Sequence, residues 1–166
     1  MVNNKLKITN LNNRANAAIT GITVINRQRL VKSLTEHEGI RSLVYEDSVG
    51  VLTIGIGHNV ESNPLSNAVI EQICSDDIDI AIKELDRSWS HWKKDLADPR
   101  QNVLIEMVFN LGYPRFSTFQ KMIKAITVKD YDKAATEMLS SKWAVQVGRR
   151  ANHLADQMRL GKYFNI

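Results

Sequence analysis

The sequence predicts a mainly helical α+β protein, in which a small β region precedes a longer, all-helical part. Two short segments rich in β-branched and aromatic residues, 43–46 and 51–56, flank a glycine-containing loop and predict a β-hairpin. A long amphipathic segment follows, and shorter helical patterns then alternate with capping residues to about residue 160. Since the strand pattern does not return, we expect the sheet to stay small.

The first predicted elements lie in the N-terminal half. Residues 1–25 are rich in asparagine, and alternation over 5–11 allows a short strand. Asn26 is placed to cap a helix over 27–37, which Gly39 would end.

The longest predicted helix covers 67–89, with Ser66 as its cap. Its apolar side chains form an arc wide enough to need neighbours on more than one side. The arc consists of Val69, Ile70, Ile73, Cys74, Ile80, Ala81, Leu85 and Trp89. Cys74 is therefore expected to be a small buried side chain.

The helical part continues with a helix that Asp98 and Pro99 begin and Gly112 ends. Helical spacing favours core positions for Trp89 and Trp92 over exposed positions that could stack on a ligand, and Trp143 is likewise expected in the core.

Composition excludes several classes of protein. The 166 residues are 43% hydrophobic and 24% charged, as in an ordinary soluble domain. The single cysteine excludes an internal disulfide and a four-cysteine zinc site. The least polar N-terminal run, 15–25, is far shorter than the about 20 apolar residues of a spanning helix. A weakly hydrophobic, releasable anchor remains an alternative there.

The net charge of +4 comes from one end of the chain. Residues 1–34 hold six basic side chains and no acid, whereas residues 35–166 hold 16 basic and 18 acidic side chains. A nucleic-acid partner is not expected, because the basic segment lacks interleaved aromatics and the middle of the chain is acidic. The segment instead suggests attraction to an anionic surface.

Two carboxylates are placed for catalysis. Glu38 ends the first predicted helix, Asp47 lies at the hairpin turn, and Thr53 lies on the second strand. Folded together, the helix end and the turn can place two carboxyl groups across a groove, as cleavage of a glycosidic bond requires. The spacing alone also suits ordinary surface carboxylates.

With these residues, the chain resembles the phage-type lysozymes, glycoside hydrolase family 24. The resemblance rests on the Glu38–Asp47–Thr53 spacing, and five further segments carry it in the family's order over about 26–163. They are Thr-Ile-Gly-Ile-Gly-His at 53–58, Met-Val-Phe-Asn-Leu-Gly at 107–112, the pair Phe116 and Phe119, Ser-Lys-Trp at 141–143 and Arg-Arg-Ala at 149–151.

The resemblance implies a catalytic scheme and a fold. Glu38 would be the general acid, and Asp47 and Thr53 would position or activate the attacking water, with inversion at the anomeric carbon. The family fold has a small β-containing lobe (about 38–64) and a helical lobe (about 90–166), joined by the long helix, with a sugar groove between the lobes. Residues 1–25 would be a basic extension of the catalytic domain 26–166.

Further roles are implied residue by residue. Arg150 matches an arginine that pairs with the catalytic glutamate, and His58 matches a histidine that pairs with a helix aspartate, here Asp77. From the residues alone, His58 could also be a base or a metal ligand. A metal site is disfavoured, because the acids that follow it point in different directions on their helix. Phe109 and Asn110 would face substrate, although Asn110 could equally cap its helix.

The predicted function is a muramidase acting on bacterial peptidoglycan in phage-driven lysis. No cofactor and no metal are expected, and the chain should be a monomer. It would be made in the host cytoplasm and act in the periplasm, with a virion-associated role as the alternative. Residues 1–34 could contact a membrane surface or the virion. A lytic transglycosylase-like enzyme and a non-catalytic wall-binding relative are the competing functions.

Overall fold

A computed structural model describes residues 26–164. The chain divides between Pro64 and Leu65 into two compact units, described separately as the hairpin unit (26–64) and the helical unit (65–164). The possible strand over 5–11 lies outside the described residues. Among the described helices, none combines the length and the apolar character needed to cross a membrane.

The hairpin unit begins with α1 (Arg27–Glu38), which confirms the predicted first helix. The Asn26 side chain accepts a hydrogen bond from the Arg29 N–H at 3.0 Å, so it caps the helix as expected. At the other end, Gly39 adopts a φ of 73°, and its N–H donates to the Thr35 carbonyl. The chain thereby turns directly from α1 into the sheet.

The sheet has three antiparallel strands in sequence order: β1 (Arg41–Glu46), β2 (Leu52–Gly55) and β3 (His58–Asn59). Thr53 lies opposite Tyr45 on one side and Asn59 on the other. The predicted hairpin is therefore confirmed. The third strand was not predicted, because two residues are too few to show an alternating pattern.

The long helix α2 (Asn67–Ser88) forms as predicted, but two expectations about it are wrong. The Ser66 side chain makes no capping hydrogen bond. Only Ala81 and Leu85 of the apolar arc are buried, and Cys74 is exposed. The reason is that the core of the helical unit packs against the C-terminal half of α2, while Cys74 lies in the N-terminal half.

The rest of the helical unit is a series of seven helices that confirms the predicted fold class. They are α3 (Trp92–Asp95), α4 (Asp98–Leu111), α5 (Tyr113–Phe116), α6 (Gln120–Thr127), α7 (Tyr131–Leu139), α8 (Lys142–Val147) and α9 (Arg149–Leu160). Leu104 and Met107 of α4, Met138 of α7 and Leu154 of α9 are fully buried. Burying such side chains contributes about 1.5–3 kcal/mol each, so this core holds the helices together.

Polar contacts tie the start of α4 to the end of α9. Arg100 donates to the carbonyls of Met158 and Arg159 at 2.7 and 3.0 Å, and its guanidinium lies 3.6 Å from the Tyr131 ring centre. Gln157 donates to the Pro99 carbonyl at 2.8 Å. The two Arg100 bonds satisfy carbonyls in the last turn of α9, which lack partners within the helix.

The tryptophans lie in the core, as expected. Trp92 is buried, and its indole N–H donates to Asp86 at 2.9 Å. Trp89 is half-buried and packs against the hydrophobic core of the helical unit. Trp143 is also buried, and its ring meets Phe119 edge to face at 6.3 Å.

Candidate active site

Glu38 is the last residue of α1, and its side chain lies against the turn between β2 and β3. A Cβ built on Gly57 in this turn would lie 3.6 Å from Glu38 Cγ and 3.7 Å from its carboxyl carbon. Gly57 also has a φ of +70°, a conformation that favours glycine. The Glu38 carboxyl is exposed, so it can reach a ligand.

Asp47 follows β1, and its orientation is fixed by backbone donors. Its Oδ1 accepts the N–H groups of Val49 and Val51, both at 2.9 Å. Its own N–H donates to the Val51 carbonyl at 2.9 Å. Within the described hairpin unit, no hydrogen bond engages Oδ2. One carboxylate oxygen thus holds the loop and the other is available for chemistry.

Thr53 lies on β2 and is buried. Its hydroxyl donates to the Val51 carbonyl at 3.1 Å, so its oxygen can act only as an acceptor toward a further group. Asp47 and Thr53 therefore converge on the backbone of Val51. Sequence reasoning missed Val51, because only its peptide groups take part and no residue type is required there.

His58 lies on β3, where its Nε2 is 3.0 Å from the Asn63 carbonyl oxygen. A carbonyl can only accept, so this nitrogen carries the proton. Asp77 belongs to α2 of the other unit, and its pairing with His58 stays a prediction. Between residues 26 and 164, no three His, Cys, Asp or Glu side chains are grouped to hold a metal ion.

Arg150 has a partner that the sequence did not suggest. Its Nε donates to Glu106 Oε1 of α4 at 2.7 Å, and both side chains are about 40% exposed. With Phe109 and Cys74 they line a cavity of about 300 Å³. The Glu106 contact had no sequence signal, because 44 residues separate the partners. The predicted pairing of Arg150 with Glu38 stays a prediction.

Asn110 supports Trp143 and does not cap its helix. Its Oδ1 accepts the indole N–H of Trp143 at 2.9 Å, whereas Gly112 ends α4. Phe109, the preceding residue, is exposed. The roles of Asn110 and Phe109 in binding substrate stay predictions.

Comparison with known proteins identifies the family. A family model described as Phage lysozyme matches residues 35–159, which include the three proposed catalytic residues. The chain belongs to the phage lysozyme family. The chain is 28% identical over 152 residues to "Probable T4-type lysozyme 2" of Dictyostelium discoideum, covering 75% of this chain and 89% of the relative.

Two phage proteins are also similar to this chain. One is the "SAR-endolysin" of Escherichia phage Mu, 26% identical over 82% of this chain and 75% of the relative. The other is the "Pre-baseplate central spike protein Gp5" of Enterobacteria phage T4, 26% identical over 75% of this chain but only 26% of the relative. Together with the family match, these relatives support a peptidoglycan hydrolase.

The hairpin unit holds two carboxyl groups in different surroundings. Glu38 offers an accessible carboxyl group, and Asp47 offers a free carboxylate oxygen on a fixed loop. Thr53 adds an acceptor oxygen beside the same backbone. Two carboxyl groups with separate surroundings are what glycoside hydrolysis needs.

Proposed function

We propose that this member of the phage lysozyme family is a muramidase. It cleaves the β-1,4 bond between N-acetylmuramic acid and N-acetylglucosamine with inversion at the anomeric carbon. The observation that carries the proposal is the convergence of Asp47 and Thr53 on Val51, in the same unit as an exposed Glu38. The family match supports it, since residues 35–159 contain all three side chains.

In the proposed reaction, Glu38 protonates the glycosidic oxygen as its bond to the anomeric carbon breaks. A water molecule attacks that carbon from the opposite face of the sugar ring. Thr53 Oγ1, whose own proton is committed to Val51, accepts a hydrogen bond from the hydrogen that the water keeps in the product hydroxyl. The other hydrogen passes as a proton to Asp47 Oδ2, while Oδ1 stays bonded to the loop.

Hydrolysis is favoured over a lytic transglycosylase reaction. A transglycosylase needs only one acid and no attacking water, whereas this unit fixes two groups able to hold water. A non-catalytic wall-binding protein would have no need to keep Glu38, Asp47 and Thr53 together.

We further propose that the basic segment 1–34 attracts the enzyme to its substrate electrostatically. Bacterial cell wall is anionic, and six uncompensated basic side chains would attract it in a salt-dependent way. The enzyme would act as a monomer in the periplasm after synthesis in the host cytoplasm. A virion-associated role is the alternative, which the similarity to a baseplate spike protein keeps open.

The test is loss of turbidity of permeabilised Gram-negative cells. We expect Glu38→Gln and Asp47→Ala to lose activity by at least about 100-fold, because each removes a proton-transfer group. Glu36→Gln is the matched control. Glu36 also lies on α1 and is exposed, and its 3.8 Å ion pair with Lys32 contributes little. An inactive wild-type enzyme, or full activity in Glu38→Gln, would refute the proposal.

Analysis of the products tests the reaction type, the bond that is cut and the stereochemistry. Free reducing ends indicate hydrolysis, and anhydro ends indicate a transglycosylase. Borohydride reduction of the new ends should yield muramitol and no glucosaminitol if the muramic acid bond is cut. NMR of the initial product should show the α-anomer.

A further inference from the structure

The hairpin unit holds a further carboxylate, Glu61, that the proposed reaction does not use. Glu61 lies two residues after β3, and its Oε1 accepts the backbone N–H of Leu52 at 3.2 Å. Leu52 lies between Val51 and Thr53 on the chain, and both of these belong to the candidate active site. Glu61 is therefore bonded to the backbone that carries the site.

One peptide group connects Glu61 to the proposed catalytic side chains. The Leu52 N–H and the Val51 carbonyl belong to the same planar peptide group. The Val51 carbonyl accepts the Thr53 hydroxyl at 3.1 Å and the Asp47 N–H at 2.9 Å. Because the group is rigid, a rotation that Glu61 prevents at the N–H edge would also move the oxygen to which Thr53 donates.

Glu61 takes the place of a backbone acceptor. Residues at a hydrogen-bonded position of an antiparallel pair normally exchange two bonds. The Val60 N–H donates to the Leu52 carbonyl at 3.0 Å, but among the described residues the return bond from Leu52 to the Val60 carbonyl is missing. The orientation of the Leu52 N–H thus depends on the Glu61 side chain.

Asn59 positions Glu61 beside the strand. The Asn59 Oδ1 accepts the N–H groups of Glu61 and Ser62 at 2.9 and 3.0 Å, which bends the chain into a turn directly after β3. Asn59 also lies opposite Thr53 in the β2–β3 register. The turn that carries Glu61 is therefore anchored at the strand position next to Thr53.

A carboxylate suits this position better than a neutral acceptor. Hydrogen bonds to a charged acceptor are stronger than those to a neutral one. Linked hydrogen bonds also polarise one another, so an anion at the Leu52 N–H makes the Val51 oxygen a better acceptor for the Thr53 hydroxyl.

We propose that Glu61 is a positioning residue, which acts on Thr53 through the Val51–Leu52 peptide group. It holds the Val51 carbonyl where the Thr53 proton is committed to it, so that Thr53 Oγ1 stays an acceptor. The inference rests on the proposed function, in which this oxygen accepts a hydrogen bond from the attacking water.

Two changes at Glu61 and one control test the proposal. Glu61→Met removes the acceptor, whereas Glu61→Gln keeps a neutral one. Glu46→Met is the matched control, because Glu46 is exposed, lies opposite Leu52 on β1, and makes no side-chain hydrogen bond within the described hairpin unit. All variants are full-length chains, and turnover is measured well below their melting temperatures.

Turnover of solubilised glycan is the first measurement. We expect Glu61→Met to lower kcat about fivefold or more and to change KM less than about twofold, because misplacing a catalytic group slows the reaction without weakening binding. Glu61→Gln should keep kcat within about twofold of the wild-type value, because its amide oxygen can still accept the Leu52 N–H. Glu46→Met should match the wild-type enzyme.

A double variant shows whether the effect passes through Thr53. In a Thr53→Ala background no hydroxyl depends on the Val51 carbonyl, so Glu61→Met should lower kcat by less than about twofold. A merely structural role of Glu61 would give the same loss in both backgrounds.

Hydrogen exchange of the Leu52 amide, followed by NMR, needs no turnover. Exchange should be about fivefold faster or more in Glu61→Met, and near the wild-type rate in Glu61→Gln and Glu46→Met, because only Glu61→Met removes the acceptor.

Several results would overturn the inference. They are unchanged Leu52 exchange in Glu61→Met, an equal loss of kcat in Glu46→Met, the same loss in the Thr53→Ala background, and a loss confined to KM, which would make Glu61 a substrate contact. Failure of the proposed function looks different, since the wild-type enzyme itself would then not cleave solubilised glycan. An active wild-type enzyme with unchanged kcat in Glu61→Met would refute only the role of Glu61.

Discussion

The carboxyl-bearing side chain of Glu38 lies over Gly57, with only 3.6 Å between Glu38 Cγ and the position of a Cβ on the glycine. Gly57 thus does two things at once. Its positive φ closes the turn between β2 and β3, and a Cβ there would already lie in ordinary contact with the proposed general acid, so a larger side chain would crowd it. The end of α1 therefore packs against the β2–β3 turn, 19 residues further along the chain.

A leucine at position 57 should reduce activity more than its effect on stability explains. Gly55→Leu is the matched control, because Gly55 has a φ of +69° and no atom within 4 Å of an added Cβ. Both changes should destabilise the hairpin unit by about 1–3 kcal/mol through backbone strain. Only Gly57→Leu should displace Glu38. Turnover of both variants, measured well below their melting temperatures, tests this expectation. Equal activity of the two variants would contradict this role of Gly57.

Asp47→Asn should separate the proposed catalytic role of Asp47 from its role in holding the loop that follows β1. An asparagine Oδ1 can still accept the two N–H groups of Val49 and Val51, so the melting temperature should change little. The charge that would accept a proton from water in the proposed reaction is lost, so we expect turnover to fall about 100-fold or more. Asp47→Ala should lose the loop bonds as well and unfold earlier. Wild-type turnover in Asp47→Asn would exclude Asp47 as a base.

Removing either partner of the Arg150–Glu106 ion pair should have a small effect on stability. Both side chains are about 40% exposed, so the pair contributes about 0.2–1 kcal/mol. Glu106→Ala and Arg150→Ala break the same contact and form a matched pair. If Arg150 also serves the catalytic glutamate, as the resemblance implies, only Arg150→Ala should lose turnover. Equal turnover losses would show that the ion pair itself matters.

Asp86 should make stability depend on pH in the acid range. Hydrogen bonds from Lys93 at 2.7 Å and from Trp92 at 2.9 Å lower the pKa of Asp86 below its ordinary value of 3.8. A carboxyl group with a lowered pKa stabilises the folded state above pH 3.8, and this contribution is lost as the pH falls through the folded value.

Melting of Asp86→Asn, followed by circular dichroism, checks this expectation. The variant should melt below the wild-type protein at neutral pH, and the difference should shrink well below pH 3.8. Asp95→Asn, a nearby exposed carboxylate on α3, should show no such trend. A difference that persists unchanged at low pH would contradict the assignment.

Deleting residues 1–25 should affect only the encounter with the wall. We expect cleavage of solubilised glycan to be unchanged and action on whole walls to weaken at low salt, because three of the six basic side chains of 1–34 are removed. The comparison at high salt is the control, since screening should abolish the difference. Loss of activity on solubilised glycan would instead make the segment part of the catalytic fold.

Local chemistry determined much of this protein. The cap at Asn26, the stop at Gly39, the hairpin around 47–50 and the helix that ends at Gly112 could each be predicted, because each depends on neighbours within a few residues. The spacing of Glu38, Asp47 and Thr53 was also visible, and with the further motifs it indicated the family that the comparison shows.

Only the tertiary structure decided which faces are covered and which distant groups meet. The apolar arc of α2 suggested burial for Cys74, yet the core packs on the other half of that helix and leaves Cys74 exposed. The contacts of Glu106 with Arg150 and of Asn110 with Trp143 join residues more than 30 positions apart. Periodicity reports which side chains share a face, but it carries no information on what packs against that face.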